Sequence, residues 1–273
     1  MKLPFTQVDA FADRPFTGNP AAVMPLDAWL PDDTLQAIAE ENNLSETAFT
    51  VPDASGEADY ELRWFTPTEE IKLCGHATLA SGHVLMPRGG QADRIRFRTR
   101  QAGVLEVVRD PGSGSGAGCD SYRLSLPAWK PDPKPLPQVL ASLGIPHAET
   151  LWHPGRYALI VLDNEDAVRA LRPDFTALTD TGDILTIVTA PGRDTDIASR
   201  VFAPGAGVPE DPVTGSAHSV SVPFWAERLD RPRFSAFQAS TRGGHLDCEL
   251  RGDRVWLGGA CVTVIEGTMT FPS

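Results

Sequence analysis

Two segments of the 273-residue chain repeat one pattern of residues that could bind an anion and move a proton. Phe65-Thr66-Pro67 is followed after six residues by Cys74-Gly75-His76-Ala77, and Phe202-Ala203-Pro204 is followed after nine by Thr214-Gly215-Ser216-Ala217. Each reads as a strand end, a loop and a helix start. Backbone N–H groups left unpaired at a helix N-terminus, with the helix dipole behind them, form a site for a carboxylate or phosphate. Two such ends imply two facing half-sites.

Four titratable side chains stand near these segments. On a strand, Leu44, Glu46 and Ala48 share one face. If that face points inward the Glu46 pKa rises, and such a carboxyl can both take and return a proton near neutral pH. At a strand edge it is instead a solvated carboxylate. His76 is the second residue of its helix, where the dipole disfavours a cation, so a neutral imidazole able to hold a substrate oxygen is expected. A histidine satisfied by helix-end backbone fits the same position. Cys74 lies just ahead of that helix, where a thiolate is favoured, although buried cysteines are usually inert. Asp211, kept extended by Pro212, either caps the second helix or offers an acceptor to a substrate amine or hydroxyl. Arg242-Gly243-Gly244 reads as a turn that could also bring a guanidinium to a carboxylate.

Other chemistries find little support. The six histidines show no His-Glu-x-x-His spacing, and His76 and His83 are too far apart for one helical turn, so no metal is expected. No Gly-x-Ser-x-Gly elbow or Walker loop occurs. Gly112-x-Gly114-x-x-Ala117 has the form of a dinucleotide fingerprint, but the strand-like Tyr122 to Leu126 follows it where a helix is required, and it reads as a hairpin loop.

A formal charge of −12 and a pI near 4.9 argue against nucleic acid as a partner, since phosphate binding needs a cationic surface. The start, Met1 to Phe5, lacks the apolar core of a signal peptide, and no run of about 18 apolar residues occurs, so neither secretion nor membrane insertion is expected. Four cysteines, at 74, 119, 248 and 261, include no Cys-x-x-Cys pair, and a reducing cytoplasm is the simplest setting.

The elements that must position these groups follow from periodicity. Phe5 to Phe11 alternates as a strand, and Gly18-Asn19-Pro20 turns the chain into the apolar run Ala21 to Met24. Leu35, Ile38, Ala39 and Asn42 are spaced as a helix from Asp32, with an Asp cap after Pro31 and Asn42-Asn43 as the stop. Leu44 to Val51 and Tyr60 to Phe65 read as strands, Gly75 to Met86 as a mainly apolar helix closed by Pro87, and Ile95 to Val108 as a hairpin around Gly103. Prolines at 131, 133, 135 and 137 mark a linker. Beyond it come a helix near Gln138 to Leu143 and strands near Tyr157 to Leu162, Ile184 to Thr189 and Ser199 to Phe202. A helix from Ser216 to Leu229 follows, which Pro223 must kink or end. Strands at Phe234 to Ser240, His245 to Arg251 and Arg254 to Leu257 complete the chain.

Strand-rich halves that each hold one apolar helix predict an α+β fold of two similar domains, each a curled, mostly antiparallel sheet wrapped around a central helix. The expected boundaries are 1–128 and 129–273, with the strand near 262–273 free to return to the first domain.

Taken together, the segments resemble the phenazine biosynthesis PhzF-like family. They are Val8-Asp9-Ala10-Phe11 with Pro15 to Val23, Leu44 to Phe49, Leu73 to Thr78, Glu210 to His218, and Gln238-Ala239-Ser240 with Arg242-Gly243-Gly244. The resemblance implies the diaminopimelate epimerase fold, an active site in the cleft between the domains, a homodimer, no cofactor, and a small carboxylic or amino acid as substrate. The founding enzyme isomerises trans-2,3-dihydro-3-hydroxyanthranilate with one Glu as acid and base. That Glu matches Glu46; residues matching His76 and Asp211 assist it, and Ser45, Gly75, Gly215 and Ser216 match residues that line the site. Epimerase relatives use two opposed cysteines, whereas this chain has Cys74 at the first place and Thr214 at the second. An epimerase using Cys74, or a ligand-binding protein that turns nothing over, are the competing readings.

Overall fold

The computed structural model describes residues 1–86, 93–110 and 120–271; Pro87, the Gly112 to Ala117 loop and Cys119 lie outside them. In chain order the elements are β1 (Lys2–Ala10), β2 (Asn19–Pro25), α1 (Asp32–Asn42), β3 (Glu46–Pro52), β4 (Tyr60–Phe65), β5 (Glu70–Ile71), α2 (Gly75–Leu85), β6 (Arg94–Thr99), β7 (Val104–Arg109) and β8 (Asp120–Pro127). They continue with β9 (Asp132–Pro133), α3 (Pro137–Ser142), β10 (Glu149–His153), β11 (Tyr157–Val161), α4 (Glu165–Ala170), α5 (Phe175–Asp180), β12 (Leu185–Pro191) and β13 (Ile197–Ala203). The last are β14 (Val208–Asp211), α6 (Gly215–Arg228), β15 (Arg233–Gln238), β16 (Gly244–Arg251) and β17 (Arg254–Thr270). This is an α+β chain of two compact units, Met1–Leu126 with Gly258–Ser273, and Pro127–Leu257.

In the first unit β1 runs antiparallel to both β2 and β17, β2 is parallel to β3, and β3 is antiparallel to β4. β4 carries the short β5 antiparallel and β6 parallel, and β7 and β8 follow antiparallel. α2 packs against β1, β2, β3 and β7, strands well separated in that ladder, so the sheet curls around it. The sequence explains why: every residue of α2 from Gly75 to His83 is buried, and a helix without a polar face has to be covered all round. Its hydroxyls do not disturb this, because Thr78 and Ser81 donate back to the carbonyls of Cys74 and Ala77 at 2.5 and 2.7 Å.

α1 covers the opposite side of β3. Its Leu35, Ile38 and Ala39 join Met24, Phe49 and Phe65 in one cluster, and β3 is consequently buried without interruption from Thr47 to Val51. The helix stops at Asn43 in the left-handed conformation, φ 47°, as the sequence indicates. The expected Asp cap is not formed. Pro31 is the N-cap residue, and Asp32, inside the first turn, pairs at 2.9 Å with the buried Arg63.

In the second unit β10 is antiparallel to β9 and β11, β11 parallel to β12, and β12 antiparallel to β13. β13 carries β14 antiparallel and β15 parallel, and β16 follows antiparallel. α6 touches β11, β12 and β16, so this sheet also curls about a helix. Pro223 does not end α6, which runs on to Arg228. Lacking an N–H, Pro223 leaves the Ser219 carbonyl without its helical partner, and the backbone N–H of Trp129 donates to it at 2.9 Å. Thus the proline-rich segment, read as a linker, is tied to the helix that the proline would otherwise weaken. Among the described residues no helix is long and apolar enough to cross a membrane.

Candidate active site

The first cluster lies in the first unit, where β3 begins beside the start of α2. Because Phe49 faces the α1 cluster, alternation turns Glu46 and Ala48 the other way, toward α2. Glu46 Oε2 stands 2.9 Å from His76 Nε2, with the two side chains 13% and 3% exposed. The separation is that of an ion pair. The alignment is not that of a hydrogen bond, and both atoms are buried with no hydrogen-bond partner. A buried carboxylate oxygen held by charge but not saturated by a donor is suited to receive a proton.

Asn19 completes this cluster. It opens β2 on the same face as Ala21, and Ala21 is the parallel neighbour of Glu46. Its side-chain amide lies 3.1 Å from His76 Nδ1 and is fully buried. The amide nitrogen can donate to a bare Nδ1, which leaves the ring proton of a neutral His76 on Nε2, near Glu46 but out of hydrogen-bond line with it.

Burial disfavours a charged ring at His76, yet the Cys74 sulfur and the Glu46 carboxylate beside it more than offset this, and its pKa is held well above the ordinary value. The neutral imidazole expected from the helix dipole is therefore not what this environment favours, since a carboxylate at 2.9 Å outweighs the partial charge of a helix end. For Cys74 burial dominates, and with the Glu46 charge nearby it pushes the thiol up to about 11. The thiolate expected from position alone is thus suppressed. Cys74 Sγ lies 3.6 Å from His76 Nδ1, and Glu46, Cys74 and His76 offer ligand atoms within 4.8 Å of one another. In this cluster Asn19 already engages the ring nitrogen nearer Cys74. Ser45 is half-buried in the bend before β3, and Gly75 is the buried first residue of α2.

The second cluster lies in the second unit at the start of α6. Asp211 ends β14, and its Oδ2 accepts the hydroxyl of Thr214, the N-cap residue, at 2.5 Å. Gly215 and Ser216 are buried in the first turn. Gln238 binds both Asp211 and Thr214. Arg242 is half-buried in the turn between β15 and β16, where Ser240 Oγ accepts the N–H of Gly243 at 3.0 Å.

One turn into α6, His218 is fully buried, and its Nδ1 donates to the Thr214 carbonyl at 2.8 Å. Burial pushes its pKa down from 6.5 to about 4, which the single backbone acceptor does not reverse. A histidine with a depressed folded pKa stabilises the fold above its unfolded pKa and loses that contribution as pH falls toward the folded one. His218 is therefore expected to cost about 3 kcal/mol of stability between pH 6.5 and 4. His76, with its raised pKa, works in the opposite sense, stabilising below its unfolded pKa and losing that contribution as pH rises through its folded value. Urea unfolding at pH 7 and 4.5 checks this: His218→Gln should lose less stability than wild type on acidification, and an equal loss would contradict it.

Sequence reasoning singled out Glu46, His76, Cys74 and Asp211 but gave no role to Asn19, Gln238 or His218. Asn19 was visible only as a turn residue, and Gln238 only within a matching segment.

A family model described as phenazine biosynthesis-like protein (PhzC-PhzF) matches residues 8–267 of the chain. A Pseudomonas aeruginosa protein named as an uncharacterized isomerase is 49% identical over 271 residues, covering 98% of this chain and 99% of its own. The crystal structure of a PhzF-family phenazine biosynthesis protein from Enterococcus faecalis is 42% identical and covers 99% of this chain and 100% of that chain, with a TM-score of 0.88. A hydroxyproline epimerase from Agrobacterium vitis, at 14% identity, matches 98% of this chain and 92% of its own with a TM-score of 0.62, a likeness of fold alone.

Proposed function

Because the chain belongs to the PhzC-PhzF family of phenazine biosynthesis-like proteins, we propose that it is a cofactor-independent isomerase of a small, cyclic carboxylic or amino acid. Glu46 lifts a proton from one carbon and returns it to another. The observation that carries this reading is the buried Glu46 Oε2, placed by charge beside His76 yet with no hydrogen-bond donor on it. When Glu46 takes the substrate proton, negative charge develops on the substrate. The His76 ring and the N-terminal end of α2, an 11-residue helix whose dipole favours an anion there, are the groups that stabilise it. Asp211, with Gly215 and Ser216, is assigned to holding substrate polar groups.

With this reading goes the proposal that the two units are similar domains, supported by their pairing order. In each, an antiparallel pair (β1–β2, β10–β11) is followed by a parallel strand (β3, β12) and an antiparallel one (β4, β13). A short antiparallel strand (β5, β14) then precedes the buried helix, and a strand parallel to β4 or β13 succeeds it. A cytoplasmic homodimer belongs to the same proposal, and sedimentation velocity tests the dimer.

Proton NMR in D2O tests the activity on a panel of cyclic and linear amino and hydroxy acids that includes trans-2,3-dihydro-3-hydroxyanthranilate. Enzyme-dependent exchange at carbon is expected for at least one. Clear binding without exchange would instead favour a ligand-binding protein. The Cys74 epimerase reading is disfavoured because burial and the nearby Glu46 charge push the thiol up to about 11, which favours its protonated form at neutral pH. Cys74→Ala is accordingly expected to keep exchange within about threefold of wild type, a packing-scale effect. A hundredfold loss in Cys74→Ala, with Glu46→Gln active, would reverse the assignment.

A further inference from the structure

We propose that Gln238 is a positioning residue that sets the direction of the Asp211 carboxylate through the hydroxyl of Thr214. Gln238 ends β15 with no exposed surface. Its own partners fix how its amide points. Oε1 accepts the backbone N–H of Thr214 at 2.9 Å, so the nitrogen is the group that donates to the Asp211 carbonyl at 2.8 Å and to Thr214 Oγ1 at 3.1 Å. The reverse orientation would set oxygen against oxygen at Asp211 and donor against donor at Thr214.

This orientation decides the next one. Thr214 Oγ1 accepts from Gln238, so its single proton is directed to Asp211 Oδ2, 2.5 Å away. A hydroxyl that must accept from one side and donate to the other has one direction, and bonds linked in this way reinforce one another. Thr214 occupies the N-cap position of α6, yet its side chain makes no cap bond. Its hydroxyl is committed to the carboxylate. The backbone of Thr214 is held from two sides, its N–H by Gln238 and its carbonyl by His218 Nδ1 at 2.8 Å. A 2.8 Å bond from Ser240 Oγ to the Pro212 carbonyl holds the residue between. The junction between β14 and α6, residues 212–214, thus holds Asp211 in one pose because a buried amide from a strand 24 residues later reads out its polar groups. The role of Asp211 toward substrate rests on the isomerase reading above, whereas the relay from Gln238 does not.

The test separates the two. Thr214→Val removes the hydroxyl donor with little change of shape and no loss of a cap bond, and Thr214→Ser restores the donor. Gln238→Glu keeps the acceptor for the Thr214 N–H but replaces the donor by a carboxylate that competes for the Thr214 hydroxyl. The probe is the proton itself: a pH titration followed at the Asp211 Cγ resonance in protein labelled with 13C at aspartate, assigned by its loss in Asp211→Asn. Donation to a carboxylate favours its charged form, so the Asp211 midpoint is expected to move upward in Thr214→Val and in Gln238→Glu, and to stay at the wild-type position in Thr214→Ser. With any compound whose carbon the wild type exchanges, Thr214→Val is expected to lower the exchange rate by about ten- to a hundredfold, the usual loss of a hydrogen bond to a charged group. Should Gln238→Glu fail to fold, Thr214→Val decides alone. An unmoved Asp211 midpoint in folded Thr214→Val overturns the relay whatever the catalytic result. A moved midpoint in a protein that exchanges no compound keeps the relay and removes the isomerase reading.

Discussion

Replacing Glu46 by glutamine is expected to lower carbon-proton exchange by about a thousandfold or more while the protein still folds, because a positioned general base supplies on the order of 10² to 10⁴ in rate. An amide of nearly the same shape fills the same place, so β3 keeps its neighbours β2 and β4. What is lost is the basic oxygen and the charge. Glu46 is one of the groups that hold the His76 pKa up, so the variant also lets the burial of His76 act with less opposition, and the ring becomes easier to deprotonate. Two measurements on one preparation check this. Thermal unfolding should move by only a few degrees, the scale of about 1 kcal/mol in a domain of this size, while exchange disappears. A variant that unfolds like wild type and exchanges at the wild-type rate would remove Glu46 from the chemistry.

Gly18→Ala is expected to carry the largest stability effect of any one-carbon change near the site. Gly18 closes the turn between β1 and β2 at φ +63°, and an added Cβ would lie 2.2 Å from the Ala10 carbonyl oxygen and 2.8 Å from Ala12 Cβ. The left-handed conformation alone would cost about 1 kcal/mol. The clash is with backbone that cannot turn aside, so the turn must open, and the total should reach about 3 kcal/mol or more. The turn is also pinned at Phe16, φ 71°, whose N–H donates to the buried Asp9 carboxylate at 2.7 Å. Asn19, the next residue, touches His76, so exchange should fall together with stability. Gly56→Ala separates conformation from clash, because Gly56 has φ +80° with nothing within 4 Å of an added Cβ. Urea midpoints should fall about three times as far in Gly18→Ala as in Gly56→Ala, and equal losses would contradict the clash.

Much of the site's scaffold can be read from the chain. The apolar run after Cys74-Gly75-His76 requires a helix covered on all sides, and α2 is buried from Gly75 to His83. The alternation around Glu46 places its carboxyl on the side of β3 away from Phe49, and there it meets His76. What the sequence does not reveal is set by contacts distant along the chain. Asn19 reaches His76 across 57 residues, and Gln238 reaches Thr214 across 24. No local pattern marks either as part of a site. The electrostatic expectation for His76 fails for the same reason, since the helix end is local and legible while the opposing Glu46 arrives from another strand.

Short elements escape periodicity as well. α4 and α5 have six residues each, too few for a helical stripe. Their start signals are nevertheless present, since Asn164 and Asp174 accept the N–H groups of Ala167 and Ala177 at 2.9 and 3.0 Å. The sequence reads Arg254 to Leu257 and a segment near 262–273 as separate strands, whereas the structure has one strand from Arg254 to Thr270 whose later part pairs with β1. The return of the chain to the first unit therefore begins at Gly258.

Transfer of label between two carbons of one substrate tests the central claim, a single carboxyl that moves a proton from carbon to carbon, most directly. A substrate identified by exchange would be deuterated at the donor carbon and converted in H2O, and the product analysed by mass spectrometry and 2H NMR at the acceptor carbon. With Glu46 only 13% exposed, part of the deuterium is expected to ride on its carboxyl and appear at the acceptor carbon, in single turnover most of all, with conversion lost in Glu46→Gln. Product free of deuterium at every time, formed at an undiminished rate by Glu46→Gln, would contradict a single-base transfer through Glu46.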